Sequence, residues 1–348
     1  MDITEDVANN NYKFPYEITK IDEDVNKKLL EDFKGERTTF VQIGPKNYFF
    51  PAKFLEDAPK YYNFEPRKDD IWIVTFPRSG TTWTQEMVWL LANNFDYKTA
   101  KTVSLNERCP FLEFGSFVHE EVKLEFLQEN DPTKKEIIEE VTFPEYLKLP
   151  LRKSPRIIKT HLPFSLLPPN LLKIGCKVIY VARNPKDVIN SFYHLNKLFK
   201  TQGYEGNLRD YCEYFIKNLQ PWTPYWEHLK EGYDNKDEES LLFMFYEDLL
   251  RDCKRGIKKV ADFIGCKITD DELDALKEHL DIKNFKNNPS VNNAALKDIG
   301  IIRNCGENSF IRNGKSGSWK NEMDQETINK IDFWINENQR KFNIKFPE

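Results

Sequence analysis

Residues 71–83, IWIVTFPRSGTTW, set an apolar run against a Pro-Arg-Ser-Gly turn and a train of hydroxyl residues. The pattern reads as strand, tight turn, helix. A turn at a helix N-terminus points unpaired backbone N–H groups and the positive end of the helix dipole at one spot, which favours a bound phosphate. Arg78 adds a full positive charge, and Ser79, Thr81 and Thr82 add hydroxyl donors. Nucleoside triphosphatase loops carry Lys between the last Gly and a Ser or Thr, whereas here Gly80 runs straight into Thr81, which argues against an ATPase or GTPase. Taken alone, the same residues also fit a plain strand-to-helix connection whose Ser and Thr cap the helix.

A second group of reactive types lies in KTHLP, where Lys159 and His161 are two residues apart and so share one face of an extended chain. Histidine is the natural general base near neutral pH, and a neighbouring lysine can balance charge on oxygen. A lone histidine is as readily structural. Arg183 follows the run KVIYVA, and Ser191 lies eight residues on, about two helical turns along. Both can reach a second anionic group, the alternative being an Arg183–Asp187 surface pair worth about 1 kcal/mol or less. Late in the chain, FIRNGKSGSW supplies Arg312 and Gly314 in another loop suited to a phosphate.

The elements needed to hold these groups are legible as alternating patterns. Short apolar runs at 71–76, 156–159, 177–182 and 241–246 read as buried parallel strands. Helical spacing follows them at 82–93, 185–200, 208–230, 249–264 and 270–279. Strands alternating with helices predict an α/β fold: one P-loop-like domain with a central parallel sheet flanked by helices on both faces. Ligands on such sheets bind beyond the carboxyl ends of the strands. A hairpin is expected at 40–50, turning at Gly44–Asn47. Residues 1–12 are expected to be disordered and 13–348 to form the single domain. Residues 118–155 break the alternation and are expected to form an inserted, lid-like excursion; 285–319 is rich in Asn, Gly and Lys and too long for a plain connector.

Composition narrows the partners. Hydrophobic residues make up 40% of the 348 and aromatics 14%, enough for a large core, and a formal charge of −5 leaves no nucleic-acid footprint. Any anion site must come from local cations. The six cysteines are scattered with no CxxC pair, which argues for reduced thiols, a cytoplasmic location and no structural zinc. No apolar run is long enough to span a bilayer, and the acidic N-terminus is unlike a targeting helix.

FPRSGTTW, KTHLP, YVARNPKDVINSFYH, FMFYEDL and FIRNGKSGSW occur in this order. Together they resemble the cytosolic sulfotransferase family over most of residues 40–340. The resemblance implies sulfuryl transfer from 3′-phosphoadenosine 5′-phosphosulfate (PAPS) to an alcohol, phenol or amine, with 3′-phosphoadenosine 5′-phosphate (PAP) as product and no metal. It implies that Arg78, Ser79, Gly80, Thr81 and Thr82 hold the 5′-phosphosulfate and that Trp83 stacks on adenine. Arg183 and Ser191 would bind the 3′-phosphate, with Arg312, Asn313 and Gly314 closing over it, and Tyr246 and Phe285 would lie near the adenine. His161 would be the base, Lys159 and Arg78 would assist the transferring group, and Phe111 and Phe114 of PFLEF would wall the acceptor pocket. The chain departs from the family at Arg78 and Asn313, where Lys is common, and after Trp319, where the family's dimer segment is not recognisable; a monomer or a different dimer is expected. The long excursion and Arg78 resemble the insect retinol dehydratase branch, in which sulfonation of an allylic alcohol is followed by loss of sulfate. The expected acceptor is a small apolar alcohol: a phenol, sterol or retinoid. Two other readings are a P-loop kinase for a small hydroxyl compound and a nucleotide-binding protein without turnover.

Overall fold

A computed structural model describes residues 14–303, 310–312 and 314–347. The expected disorder at 1–12 lies outside them. Four parallel strands form the central sheet: β4 (Ile71–Thr75), β5 (Ile157–Thr160), β6 (Lys177–Ala182) and β7 (Leu241–Phe245), in the order β5-β4-β6-β7. A smaller antiparallel sheet precedes it, made of β1 (Ile18–Lys20), β2 (Phe40–Ile43) and β3 (Tyr48–Pro51). The β2–β3 pair is the hairpin expected from the sequence; β1 joins its edge through Ile18 opposite Ile43.

Helices cover both faces of the parallel sheet, and the alternation of side chains shows why its strands read as unbroken apolar runs. Trp72 and Val74 of β4 enter one core with Val178 and Tyr180 of β6, beside Phe192 and Tyr225. Ile71 and Ile73 enter the other with Ile179 and Val181, against Met87, Leu90, Ile257 and Val260. Every residue of β4 is buried, so both sides of the pleat must be apolar. Burying such a side chain is worth roughly 1.5–3 kcal/mol, enough to fix the register that delivers the Arg78 loop and His161 to the same edge.

Two helical expectations need correction. Residues 208–230 form two helices, Leu208–Ile216 and Tyr225–Asp234. Pro221 and Pro224 interrupt the helical hydrogen-bond ladder between them, and Trp222 takes a left-handed conformation (φ 68°). Residues 249–264 divide at Asp252 into Tyr246–Arg251 and Cys253–Ile264; the Asp252 carboxylate accepts from Arg255 N and caps a new helix. Within 285–319, Phe285 lies in the helix Ile282–Asn287 and a short helix covers Ala294–Asp298.

The 118–155 excursion folds into helices Glu120–Glu129, Lys135–Thr142 and Glu145–Lys148. Its Val122, Phe126 and Ile138 pack against Leu198 and Phe199 and against Leu296, Ile299 and Ile301. The two stretches that break the sheet–helix alternation therefore share a third core at the end of the helix Pro185–Leu198.

Candidate active site

The turn after β4 ends in Gly80, whose φ of 92° and closeness to Tyr246 exclude a larger residue: a Cβ there would lie 2.5 Å from Tyr246 Cδ2. The helix Thr81–Ala92 starts at once, as the hydroxyl-rich pattern predicts. Arg78, also left-handed (φ 68°), turns back: its Nε donates to Ser191 Oγ (2.9 Å) and its Nη2 to the Phe310 carbonyl (3.1 Å). Arg183 Nη1 donates to the Arg78 carbonyl (2.8 Å) and Nη2 to the Lys315 carbonyl (3.3 Å). The Arg183–Asp187 pair does not form; Asp187 accepts from Gly317 N (2.8 Å) and from the Ser316 hydroxyl.

These cations are poorly compensated. Neither Arg78 nor Arg183 forms an ion pair with a described residue, whereas Arg312 contacts Glu322 at 2.7 Å. Burial, and then the Arg183 and Arg312 charges, pull the Arg78 pKa down to about 9. Arg183 Nε and Ser79 Oγ are buried with no partner. Positive charge gathered against its own repulsion, beside open donors, fits an anion with more than one charged end.

One cavity of about 990 Å³ reaches from this cluster to the excursion. It is lined by Arg78, Gly80, Thr81, Thr82, Trp83 and Arg183, and further on by Ser191, Tyr246, Phe285, Arg312 and Gly314. Ser79 is wholly buried behind the turn rather than on the cavity wall. Asn313 lies outside the described residues. Trp83 Nε1 donates to the Leu280 carbonyl (3.0 Å) and its ring meets Tyr246 edge-on at 6.1 Å, leaving an aromatic slot rather than a closed stack.

Lys159, Phe111, Phe114 and His161 line the same cavity. Lys159 Nζ sits 3.9 Å above the Phe111 ring, and burial pulls its pKa down to about 8, with Glu113 opposing the shift. His161 follows β5, and its Nδ1 donates to the Thr75 carbonyl (2.8 Å) at the end of β4. A carbonyl can only accept, so this bond fixes the tautomer with Nε2 unprotonated. Burial, and then Lys159, hold the His161 pKa well below its ordinary value, so the imidazole is neutral at pH 7. Phe111 and Trp222 flank its ring at 5.0 and 5.6 Å, both edge-on.

Three residues of this site escaped the sequence reading. Glu113 is fully buried, accepts from His161 N (2.6 Å) and Thr160 Oγ1 (2.8 Å), and is raised by burial to about 7. Its signal was present: a carboxylate enclosed by the apolar residues of PFLEF. His228 Nε2 donates to the His161 carbonyl (2.9 Å) while Nδ1 accepts from Tyr180 OH (2.8 Å), and burial lowers its pKa to about 4. Trp222, between two prolines, was absorbed into a helix that does not form.

A sulfotransferase domain family matches residues 68–343, and the chain belongs to that family. It is 32% identical to sulfotransferase 1E1 of Bos taurus over 84% of this chain and 91% of that protein. Two solved structures of retinol dehydratase, one with androsterone and inactive cofactor PAP and one with retinol and PAP, share 33% and 34% identity with it. Each is covered over 99% of its length and 96% of this chain, with TM-scores of 0.88 and 0.89. The protein is a PAPS-dependent transferase that moves a sulfuryl group to a small acceptor; the kinase and binding-protein readings are not favoured. Among the described residues no cluster of His, Cys, Asp or Glu is arranged to hold a metal, and no helix is long and apolar enough to cross a membrane.

Proposed function

We propose that this chain sulfonates the hydroxyl of a small apolar acceptor, with His161 as general base. The observation that carries the assignment is the bond from His161 Nδ1 to Thr75 O, which leaves a neutral imidazole with Nε2 free to take a proton inside the cavity. His161 Nε2 removes the acceptor proton as the new S–O bond forms and the bond from sulfur to the 5′-phosphate oxygen breaks. PAPS supplies the sulfuryl group. Negative charge spreads over oxygens in such a transfer, so pre-placed cations contribute most of the catalysis. Lys159 and Arg78 take that part, and the N–H groups from Ser79 to Thr82 hold the 5′ end. Arg183, Ser191, Arg312, Asn313 and Gly314 hold the 3′-phosphate, while Trp83, Tyr246 and Phe285 bracket the adenine.

Phe111 and Phe114 wall the acceptor, and the 118–155 helices act as its lid: Ile137 and Val141 line the cavity alongside Phe114 and Phe117. An apolar wall of this kind suits phenols, sterols and retinoid-like alcohols. A sulfate ester next to a polyene departs readily because the resulting cation is delocalised, so an allylic acceptor goes on to lose sulfate. Residues 13–348 form one domain that works in the cytoplasm as a monomer, or as a dimer not built on the family segment. The test is a mass-spectrometric screen of a phenol, a sterol and a retinoid with PAPS. A product 80 mass units heavier per transferred group, roughly as SO3 addition requires, or one lighter by water for the allylic member, is expected. Bound nucleotide with every acceptor unchanged would overturn the reading.

A further inference from the structure

Arg312 reaches the nucleotide end of the cavity from a loop, and a carboxylate behind the cavity wall holds it there. Its Nη2 donates to Glu322 Oε1 (2.7 Å). The same oxygen accepts from Asn190 Nδ2 (3.1 Å), and Glu322 Oε2 meets His194 Nε2, which must be the donor because a carboxylate only accepts. Asn190 and His194 lie on the helix Pro185–Leu198, one to either side of Ser191. Three donors from two elements thus converge on one side chain. Arg312 and Ser191 line the cavity, whereas Glu322, Asn190 and His194 are not among the described residues of its wall.

Burial works to raise the Glu322 pKa, but the bonds from Arg312, Asn190 and His194 outweigh it and hold the group below its ordinary value, so it is an anion at pH 7. Arg78 feels the Arg312 charge as repulsion, which favours an Arg312 turned away from the cluster. The loop backbone has other anchors: Arg78 bonds the Phe310 carbonyl, Arg183 that of Lys315, and Asp187 holds Gly317 N. Among the described residues the Arg312 side chain bonds Glu322 alone. With 20% of its surface exposed, this long side chain would otherwise keep its rotamer freedom until a ligand ordered it. We propose that Glu322 is a positioning residue: by docking Arg312 on the helix that carries Ser191, it sets in advance the grip on the 3′-phosphate, and so how strongly the enzyme prefers a 3′-phosphorylated nucleotide. The inference rests on reading Arg312 as a 3′-phosphate ligand and goes beyond it, assigning selectivity to a residue outside the cavity.

The test is displacement calorimetry on the full chain with PAP and with adenosine 5′-phosphate (AMP), which lacks only the 3′ group. In Glu322→Ala the ratio of AMP to PAP dissociation constants should fall roughly threefold to tenfold, the cost of ordering one long side chain on binding, with AMP affinity unchanged. Arg312→Ala should lower the ratio at least as far, and the double variant no further than Arg312→Ala, because the carboxylate acts through the arginine. Glu322→Gln keeps an acceptor for Arg312 without the charge and should fall between alanine and the wild type. Should alanine prevent folding, glutamine decides alone. A ratio unchanged or increased in the Glu322 variants while Arg312→Ala loses it, or a loss shared equally by AMP, overturns the role of Glu322. A ratio that survives Arg312→Ala overturns the reading of Arg312 itself, and this inference with it.

Discussion

At the scale of the residue, the site is a set of ionisable groups whose environments set their protonation before any ligand arrives. Lys159, pulled down to about 8 by burial, loses its charge as pH rises through that value in the free enzyme. The expected result is that kcat/KM for PAPS falls above about pH 8, while the alkaline limb of kcat lies higher because the bound anion favours the ammonium. Lys159→Arg should remove the limb; an unchanged limb in that variant assigns it elsewhere. On the acid side, neutral His161 is already competent, so activity should stay flat through pH 6.5 and decline only below it. His228 holds the His161 carbonyl from behind. His228→Ala should lower kcat while PAP affinity stays within about threefold, and His228→Gln, which keeps a donor in place of Nε2, should recover most of the loss. KTHLP made Lys159 and His161 legible, because two reactive types on one face of a strand end are visible in sequence. The groups that hold them, Glu113 and His228, were not: their roles depend on contacts between residues 48 and 67 positions apart.

At the scale of the element, the loop after β4 is under two constraints at once. Gly80 needs a left-handed backbone and has Tyr246 against its α-carbon. Gly80→Ala should cost roughly 1–3 kcal/mol in backbone strain and displace Tyr246, so that the thermal midpoint falls and PAP binding weakens together; normal binding in a folded variant would show that the loop tolerates a side chain. Strand and helix periodicity marked the sheet and the helix Thr81–Ala92 to within a residue, since both faces of β4 are buried and its apolar run is unbroken. The same periodicity failed over 208–230. The apolar spacing there continues through the proline-bracketed turn, and only the missing N–H groups of Pro221 and Pro224 betray the break. That break matters for the site, because it delivers Trp222 to the side of His161.

At the scale of the whole molecule, a chain of net charge −5 concentrates its cations where β4 and β6 end. The 118–155 helices and the 285–303 stretch, separate in sequence, meet at one core and both contribute residues to the cavity that holds that cluster. Composition gave no sign of this meeting, which depends on tertiary packing. Arg183, with one buried nitrogen open, belongs to the charge cluster rather than to the surface. Arg183→Ala should raise the PAP dissociation constant roughly tenfold to a hundredfold, as expected for a charge-assisted contact of about 1.5–3 kcal/mol. Calorimetry showing unchanged affinity would remove it from the nucleotide site.

The most direct measurement is transfer of labelled sulfate from PAPS by His161→Ala, run beside calorimetry of PAP on the same preparation. With the imidazole as the proton acceptor, PAP affinity stays within about threefold of the wild type, and turnover drops by roughly a hundredfold or more, the usual weight of a general base. Turnover near the wild-type rate with PAP still bound would contradict it and leave His161 a neighbour of the chemistry rather than its base.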